Sequence, residues 1–272
     1  RGPRRLRYCL TVPSLAPSAR EAAEPAPAAI ERPGMRAVRI DPARLDELLA
    51  VAGELVVARN RLINVTAERS DQDLEAVTGQ IDSLVRSLHG GVLRARLAPI
   101  TELFGRFPRV VRDLGASLGR NVRLDLAGEG IELDRAVLEE LVDPLIHLIR
   151  NAVDHGIEEP AARATAGKPV SGRLELSAER RRDWIVIRLT DDGRGIDRLR
   201  VARRAAEMGL VVPAGPLSDD DLLRLLAAPG FTLKGAVTAV SGRGVGMDAV
   251  VTRTRALGGR VDCRTEQGVG TT

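Results

Sequence analysis

The chain has 272 residues, of which 44% are hydrophobic and 29% charged, a composition typical of a soluble globular protein of one to two domains. The net charge of +4 admits a polyanionic ligand, but only 2% of the residues are aromatic and no basic run is interleaved with them, which argues against nucleic-acid binding. No run of about 18 apolar residues exists, which argues against direct membrane insertion, and Cys9 and Cys263 show no metal or redox spacing, which favours a reducing, cytoplasmic location.

The first segment, residues 1–35, is predicted to be an irregular linker, because the stretch APSAREAAEPAPAAIERPGM is rich in Ala, Pro and Glu and offers little to bury. Its positively charged start lacks a continuous apolar stretch, so no signal peptide is predicted. The sequence also begins without Met, and we expect it to be a fragment of a longer protein.

Residues 36–101 predict a helical hairpin. One helix begins with Asp41 as N-cap and Pro42 in the first turn, and a second runs from about Asp71 to Arg96. One hairpin cannot bury both of its apolar stripes alone, so the pattern fits equally well a four-helix bundle with a second copy or packing onto the rest of the chain. The two stripes consist of Leu45, Leu48, Ala52, Leu55, Arg59 and Leu62, and of Leu74, Val77, Ile81, Leu84, Leu88 and Val92.

Residues 102–272 alternate between helical and strand patterns. A strand at Asn121–Leu126 precedes a helix that Asp134 caps, and two alternating strands then end at Asp191–Gly195. The predicted order α-β-α-β-β-α-α-β corresponds to an α/β sandwich, with helices on one face of a mixed sheet. Together with the helical hairpin before it, the chain is predicted to have an α+β fold.

A polar stripe interrupts the apolar helix that contains HLIRNAVDHGIE. On a regular helix, His147, Asn151, Asp154 and His155 fall within one sector of about 100°, opposite an apolar face. Solvated helix faces usually carry Lys, Glu and Arg, so this stripe indicates a binding surface, although a solvated face remains the simpler alternative.

Three glycine-containing segments follow the polar helix, and each is ambiguous alone. Asp191-Asp192-Gly193-Arg194-Gly195 ends a strand with a carboxylate that can accept a hydrogen bond from an exocyclic amine, or forms an ordinary turn. PGFTLKG contributes an aromatic residue and a lysine. SGRGVGMDAV leads into a helix N-terminus, which favours phosphate, or forms a glycine hinge.

In this order the segments resemble the ATP-binding fold of the GHKL superfamily. The stretches DPLIHLIRNAVDHGIEEP, DDGRGID, PGFTLK and VSGRGVGMDAV look like the kinase core of the CheA family of chemotaxis histidine kinases. Upstream, LDELLAVAGELVVARNRL, LRARLAPI and RFPRVVRDLG are similar to the family's dimerisation domain and the junction after it. The resemblance covers residues 36–272 and implies a dimerisation hairpin at 36–101, followed by an ATPase domain at 102–272.

The resemblance implies roles for the polar helix in binding ATP and Mg²⁺. Asn151 would be the Mg²⁺ ligand, and His147 would act as a base or orient the attacking group. His155 would contact phosphate or ribose, with Asp154 beside it in the site. One amide ligand suits Mg²⁺, which is commonly held by few protein ligands together with phosphates and water.

The resemblance also implies an adenine pocket and a lid. Asp191 would bind the adenine amino group, Gly193 and Gly195 would shape the pocket, and Thr271 would lie close to adenine. The lid would run from Phe231 to Gly246. Its residues near phosphate would be Lys234, Gly242, Arg243, Gly244 and Gly246.

The implied activity is an ATP-dependent protein-histidine kinase of a two-component chemotaxis system. It would act as a homodimer and phosphorylate in trans a His of a phosphotransfer domain absent from this chain. The coupling protein, receptors and response regulators would bind through other regions, at the inner face of the membrane. The alternatives are a conventional sensor kinase with His89 as its own acceptor, or a non-catalytic dimeric scaffold.

Three features depart from the family's pattern. The sequence stops at GVGTT, where the family continues into a final core strand, so a C-terminally truncated domain with a weaker sheet is expected. FTLK replaces the family's Phe-Ser-Thr-type sequence in the lid. His89-Gly90-Gly91 replaces a polar helical run, and its two glycines are expected to loosen the second helix.

Overall fold

The computed structural model describes residues 8–13, 42–66, 72–232 and 246–272. The chain forms two compact units, each described by itself below. One comprises Ser18–Leu97, and the other combines Arg1–Pro17 with Ala98–Thr272. The functional boundaries expected at residues 35 and 101 remain predictions.

The first unit is a pair of long helices, as predicted. Helix α1 spans Pro42–Thr66 and α2 spans Gln72–Arg96, so Pro42 does occupy the first position of its helix, while the predicted cap Asp41 lies outside the described residues. Helix α2 continues without a break through Gly90 and Gly91, so the glycines do not interrupt it in this structure. An ion pair between Arg59 and Asp82, 2.9 Å from Nη1 to Oδ1, joins α1 to α2.

The second unit is built on a mixed sheet. Its main strands have the order β3-β5-β6-β1-β7, in which β3 and β5 are parallel and the other pairs antiparallel. A short strand β9 extends β6 at Asp191 and also pairs with β8, and two further strands, β2 and β4, form a separate ribbon. The strands are β1 (Tyr8–Pro13), β2 (Leu97–Pro99), β3 (Val122–Ala127), β4 (Glu132–Asp134), β5 (Gly172–Arg181), β6 (Trp184–Asp191), β7 (Arg260–Asp262), β8 (Thr265–Glu266) and β9 (Gly270–Thr271).

Strand β1 lies inside the segment that was predicted to be irregular, so that prediction is wrong for Tyr8–Pro13. The strand fills the gap between β6 and β7, with Leu10 opposite Ile187 on one side and Val261 on the other. Leu10 is buried, and both neighbours supply backbone hydrogen-bond partners. These long-range partners have no signature in the local composition, which explains the error.

The helices of this unit pack on the sheet around one aliphatic core. The side chains of Ile185, Ile187 and Leu189 on β6 are buried against helix residues such as Leu141 and Leu145. A smaller apolar cluster forms around α7 and α8. The helices are α3 (Ile100–Phe104), α4 (Phe107–Ser117), α5 (Arg135–Asn151), α6 (Pro160–Thr165), α7 (Arg198–Glu207), α8 (Asp219–Leu226) and α9 (Met247–Ala256).

The core explains how the candidate site is held. Helix α5 and the C-terminal end of β6 both contribute to it, and each full burial of a Leu or Ile side chain stabilises the fold by roughly 1.5–3 kcal/mol. The polar residues at the ends of these two elements are therefore attached to elements whose apolar sides are buried in the core. Along the described chain, no helix is long and apolar enough to cross a membrane.

Candidate functional site

Helix α5 carries the polar stripe, and its start follows the prediction. The carboxylate of Asp134 accepts a hydrogen bond of 2.9 Å from the backbone N–H of Ala136, which caps the helix. Leu145, Leu148 and Ile149 are buried. The predicted burial of the apolar side is thus confirmed for the α-helical part.

The last turn of this helix departs from the prediction. The α-helix ends at Asn151, and Ala152–Gly156 form a π-helical turn whose end is marked by a 2.7 Å hydrogen bond from the N–H of Ile157 to the carbonyl of Ala152. The guanidinium of Arg120 also donates to the carbonyl of Val153 within this turn. The expectation of a regular helix through Gly156 was therefore wrong, because a π-turn needs more residues per turn than a periodic pattern assumes.

The four residues of the polar stripe differ in exposure. His147, Asn151 and Asp154 are half-buried, whereas His155 is exposed. His155 Nε2 lies 3.5 Å from a carboxylate oxygen of Asp154. The structure thus places a neutral amide and three titratable side chains along the last α-helical turns and the π-turn, with His155 furthest into solvent.

His147 has a lowered pKa. Burial is the main cause, and the positive charge of Arg150 lowers the pKa further, with a smaller contribution from His155, while Asp248 at the start of α9 opposes the shift. The imidazole is therefore neutral at pH 7 and has a free lone pair for a proton. A neutral, half-buried imidazole is suited to accept a proton or to orient a nucleophile.

Asp191, the last residue of β6, is a buried carboxylate held by backbone groups. Its Oδ1 accepts hydrogen bonds from the N–H of Gly193 at 2.9 Å and of Thr271 at 3.2 Å. Burial raises the pKa of Asp191 to about 7, although both of these hydrogen bonds lower it, and the negative charges of Asp192 and Glu158 raise it further. Neither backbone group donates to Oδ2, which leaves that oxygen to accept a further hydrogen bond.

The glycines around Asp191 permit close backbone approach. A Cβ on Gly193 would lie 2.2 Å from the carbonyl carbon and oxygen of Gly156, so no other residue fits there without moving the π-turn. Gly195 has a φ of +70°, and a Cβ would lie 2.3 Å from the carbonyl oxygen of Glu266. A Cβ on Gly156 would lie 3.1–3.2 Å from the carboxylate of Asp191, so a side chain here would press against the buried carboxylate.

Thr271 lies next to Asp191, and its expected proximity to adenine remains a prediction. Besides its N–H bond to the carboxylate, its hydroxyl is 3.2 Å from that of Thr265. Thr265 in turn accepts a hydrogen bond of 2.8 Å from the N–H of Ile196. This chain of contacts connects β8 and β9 to the loop that carries Gly193 and Gly195.

Residues of the predicted lid divide into two groups. Phe231 packs against the small apolar cluster around α7 and α8, and Gly246 precedes α9 as its N-cap. The others lie outside the described residues, so their roles remain predictions. They are Lys234, Gly242, Arg243 and Gly244.

Behind residues 191–195, which we call the Asp191 loop, the structure reveals three charged residues that the sequence analysis did not single out, Glu158, Arg163 and Lys168. Arg163, fully buried, pairs through Nη2 with Asp192 Oδ2 at 2.8 Å and through Nη1 with Glu158 Oε2 at 3.1 Å. Lys168 Nζ lies 2.9 Å from Glu158 Oε1. A signal was present, because GIEEPAARATAGKP places these charges between two apolar elements, but nothing local indicated which would be buried.

The residues present fit an adenine nucleotide with Mg²⁺. The uncommitted oxygen of Asp191 can accept a hydrogen bond from an exocyclic amine. The amide of Asn151 has no hydrogen-bond partner among the described residues. Those residues contain no cluster of three or more His, Cys, Asp or Glu side chains that would hold a metal by themselves.

Two protein families match this chain. Residues 140–272 match the histidine kinase-, DNA gyrase B-, and HSP90-like ATPases, and residues 35–95 match the homodimeric domain of signal transducing histidine kinases. The first match lies within the unit that carries Asp191, and the second covers most of the helical pair. They confirm the expected fold class, a helical dimerisation segment followed by a GHKL-type ATPase fold.

Curated relatives cover nearly the whole chain. The chemotaxis protein CheA of Salmonella typhimurium is 41% identical over 269 residues, which are 95% of this chain and 39% of that protein. The sensor histidine kinase CheAY of Helicobacter pylori is 41% identical over 245 residues, 86% of this chain and 30% of that protein. The chain thus spans about two fifths or less of the length of these relatives.

Solved structures of histidine kinases also resemble the chain, at a lower level. The kinase domain of the Erythrobacter litoralis EL346 blue-light activated histidine kinase is 15% identical, and the alignment covers 85% of this chain and 91% of that domain with a TM-score of 0.37.

Proposed function

Because the chain belongs to the CheA family of chemotaxis histidine kinases, we propose that it is the core of an ATP-dependent protein-histidine kinase. It binds ATP in the second unit and transfers the γ-phosphoryl group to a His on a phosphotransfer domain outside this chain. The cell uses such an activity in chemotaxis signalling, in the cytoplasm and next to receptors. The coupling protein and response regulators engage other parts of the longer protein.

One observation carries the proposal: a buried carboxylate with one uncommitted oxygen lies beside a polar helix end. Asp191 keeps Oδ1 bound to two backbone N–H groups and offers Oδ2 to the adenine amino group. A buried polar group without a partner is costly, so a ligand that donates to Oδ2 gains both affinity and specificity.

The helix end supplies the groups for the phosphates. The side-chain amide oxygen of Asn151 would hold Mg²⁺, which when bound would supply charge neutralisation at the phosphates. His147, neutral because of its lowered pKa, accepts a proton or orients the attacking imidazole. His155 extends into solvent, where it contacts phosphate or ribose, next to Asp154.

The helical pair provides the dimer. In the single chain, Leu84 and Leu88 on α2 remain 69% and 50% exposed, and several apolar residues of α1 are also exposed. Exposed apolar stripes of this extent favour association with another apolar surface. We infer a homodimer in which two helical pairs form a four-helix bundle, as in the matched homodimeric domain.

Calorimetric titration of Mg·ATP into the chain tests the nucleotide site. We expect micromolar to sub-millimolar binding that Asn151→Ala weakens by roughly tenfold or more, since a metal ligand is lost. Asn121→Ala is the matched control, because Asn121 is exposed on the same unit. Equal affinity of the Asn151 variant and the native chain would contradict the assigned role of Asn151, and absent binding by the folded native chain would contradict the kinase assignment.

Phosphoryl transfer is tested with a separately added phosphotransfer domain from a CheA relative. We expect phosphohistidine on the added domain, and a His147→Gln variant that binds ATP but transfers roughly 100-fold more slowly. Phosphohistidine on this chain itself, abolished by His89→Gln, would instead support the conventional sensor kinase. ATP binding without transfer to any acceptor would support the scaffold.

A further inference from the structure

Behind the Asp191 loop, Arg163 and Lys168 converge on one peptide unit. Lys168 Nζ donates to the carbonyl of Asp192 at 2.9 Å and to that of Gly193 at 2.7 Å. Arg163 Nη1 lies 3.3 Å from the same Asp192 carbonyl, while Nη2 binds the carboxylate of Asp192. Two cations thus hold the backbone of a single dipeptide, and we call Arg163, Lys168 and Glu158 the loop clamp.

Together with Asp192 the loop clamp is electrically balanced, and the ammonium group of its lysine is fully hydrogen-bonded. With its bond to Glu158, Lys168 uses all three of its ammonium protons. Arg163 Nε donates to the carbonyl of Pro169 at 2.7 Å, which anchors the clamp to the chain before β5. The carboxylates of Glu158 and Asp192 match the two cations in charge, so the cluster carries no net charge.

Two backbone N–H groups of the same segment bond to Asp191 and to the π-turn. The N–H of Gly193 donates to Asp191 Oδ1, and the N–H of Arg194 donates to the carbonyl of Gly156 at 2.9 Å. Asp192 is fixed further by a hydrogen bond of 2.8 Å from the N–H of Arg173 to its Oδ1. The direction of the Gly193 N–H, and with it the orientation of the Asp191 carboxylate, therefore depends on how the Asp192–Gly193 segment is held.

Stability alone is a weak reason for a buried ion cluster. Removing two charges from water is costly, and well-packed apolar residues of similar volume often stabilise a protein equally or better. A rigid cluster with several directional hydrogen bonds does, however, fix a loop in one geometry. Groups that bind a ligand directly need such support, because small displacements weaken their contacts.

We propose that Arg163 and Lys168 are positioning residues of the nucleotide site, which hold the Asp192–Gly193 backbone so that Asp191 presents its free oxygen to the adenine amino group. This inference rests on the proposed function for its ligand. Its geometric part concerns only the loop and can be measured without nucleotide.

Comparing the affinities for ATP and GTP distinguishes a positioning role of Lys168 from a purely stabilising one. Adenine presents an amino donor where guanine presents a carbonyl acceptor, so only ATP depends on the orientation of Asp191. We expect Lys168→Met to weaken ATP binding about tenfold, or about 1.4 kcal/mol, and to leave the weaker GTP binding nearly unchanged. Lys168→Arg should restore most of the ATP affinity, because it retains a cation with several donors.

A matched control removes a different half-buried cation. Arg188 on β6 pairs with Glu179, and its side chain is 12% exposed, against 16% for Lys168. Arg188→Met should lose a similar ion pair without changing the ratio of ATP to GTP affinity. If Lys168→Met unfolds at the assay temperature, Glu158→Gln is the second variant, because it removes a charge from the loop clamp while keeping the size of the side chain. We expect Glu158→Gln to lower the ratio of ATP to GTP affinity as well.

Hydrogen exchange of the Gly193 amide in the free protein tests the geometric part. We expect faster exchange in Lys168→Met, and native-like exchange in Arg188→Met. Unchanged Gly193 exchange together with unchanged base discrimination would overturn the loop clamp. If the native chain bound no ATP, the proposed function would fail, and the Gly193 exchange would still decide whether the clamp holds the loop.

Discussion

The leucine side chains are buried to different extents in the two units of the chain, the helical pair and the unit that carries Asp191. In the unit that carries Asp191, Leu141 and Leu145 of α5 are fully buried in an aliphatic core. In the helical pair, Leu84 and Leu88 of α2 remain exposed in the single chain, and among its described residues only Leu45 and Ala52 are buried apolar ones. One unit therefore completes its core within the chain, whereas the other needs a second surface.

The difference corresponds to two kinds of function. A complete core gives the polar groups at the ends of α5 and β6 a rigid support, which binding and catalysis require. An exposed apolar stripe makes the stability of the helical pair depend on the concentration of its partner. The following predictions test this contrast, from the largest expected effect to the smallest.

Leu141→Ala should lower the free energy of unfolding of the Asp191 unit by about 2–5 kcal/mol, because it removes a fully buried side chain and leaves a cavity. Denaturant unfolding monitored by circular dichroism measures the loss. Leu199→Ala is the control, since Leu199 is exposed on α7 and should change the value by less than about 0.5 kcal/mol. Similar losses for both variants would show that the core is not closed within this unit.

Leu84→Glu should weaken self-association by about 3 kcal/mol, since each copy loses an apolar contact and buries a charge at the interface. Analytical ultracentrifugation over a range of protein concentrations measures the shift toward monomer. Leu84 and Leu199 are each 69% exposed in the single chain, so Leu199→Glu is a control of equal exposure. A dimer dissociated by Leu199→Glu and not by Leu84→Glu would place the interface on the other unit.

Asp191→Asn should stabilise the protein more at pH 8 than at pH 5, by about 1–3 kcal/mol, while weakening ATP binding. The pKa of Asp191 is raised from 3.8 to about 7 in the folded protein. Between these values the folded state keeps a proton that the unfolded chain has released, so the native stability falls as pH rises through this window. Above pH 7 the native protein bears the full cost of a buried carboxylate, and the amide removes it.

Urea unfolding of the native and Asp191→Asn proteins at both pH values gives this difference. Asp221→Asn is a useful comparison, because its pKa shift has the opposite direction: hydrogen bonds from Ser218 lower the pKa of Asp221. A stability difference for Asp191→Asn that does not change between pH 5 and pH 8 would contradict the assignment of a raised pKa.

Asp82→Asn should destabilise the helical pair by about 1–2 kcal/mol, and Asp143→Asn should cost less than about 0.5 kcal/mol. Asp82 pairs with Arg59 across α1 and α2, with both side chains mostly buried, whereas the Asp143–Arg253 pair is largely exposed. Thermal unfolding of the two variants at low and high salt measures both effects. If the two variants lost equal stability at low salt and neither lost any at high salt, burial would not strengthen the Arg59–Asp82 pair.

Many parts of the fold could be predicted because their signals are local. The apolar periodicity of α1 and α2, the cap at Asp134 and the alternation along β5 and β6 all depend on residues within one or two turns of each other. Asp191, Gly193 and Thr271 were identified as candidate site residues through the resemblance, and the structure brings them into contact.

Other features depend on partners far apart in the sequence, and only the tertiary structure decided them. Strand β1 exists because β6 and β7 leave a gap that Leu10 fills, the π-turn ends where Gly156 meets Gly193, and Arg163 is buried because Asp192 and Glu158 surround it. The sequence by itself determined the helices, the central strand hairpin and the types of residue in the site. Tertiary structure decided which backbone groups and charges meet, because hydrogen bonds and ion pairs over long sequence separations leave no periodic pattern.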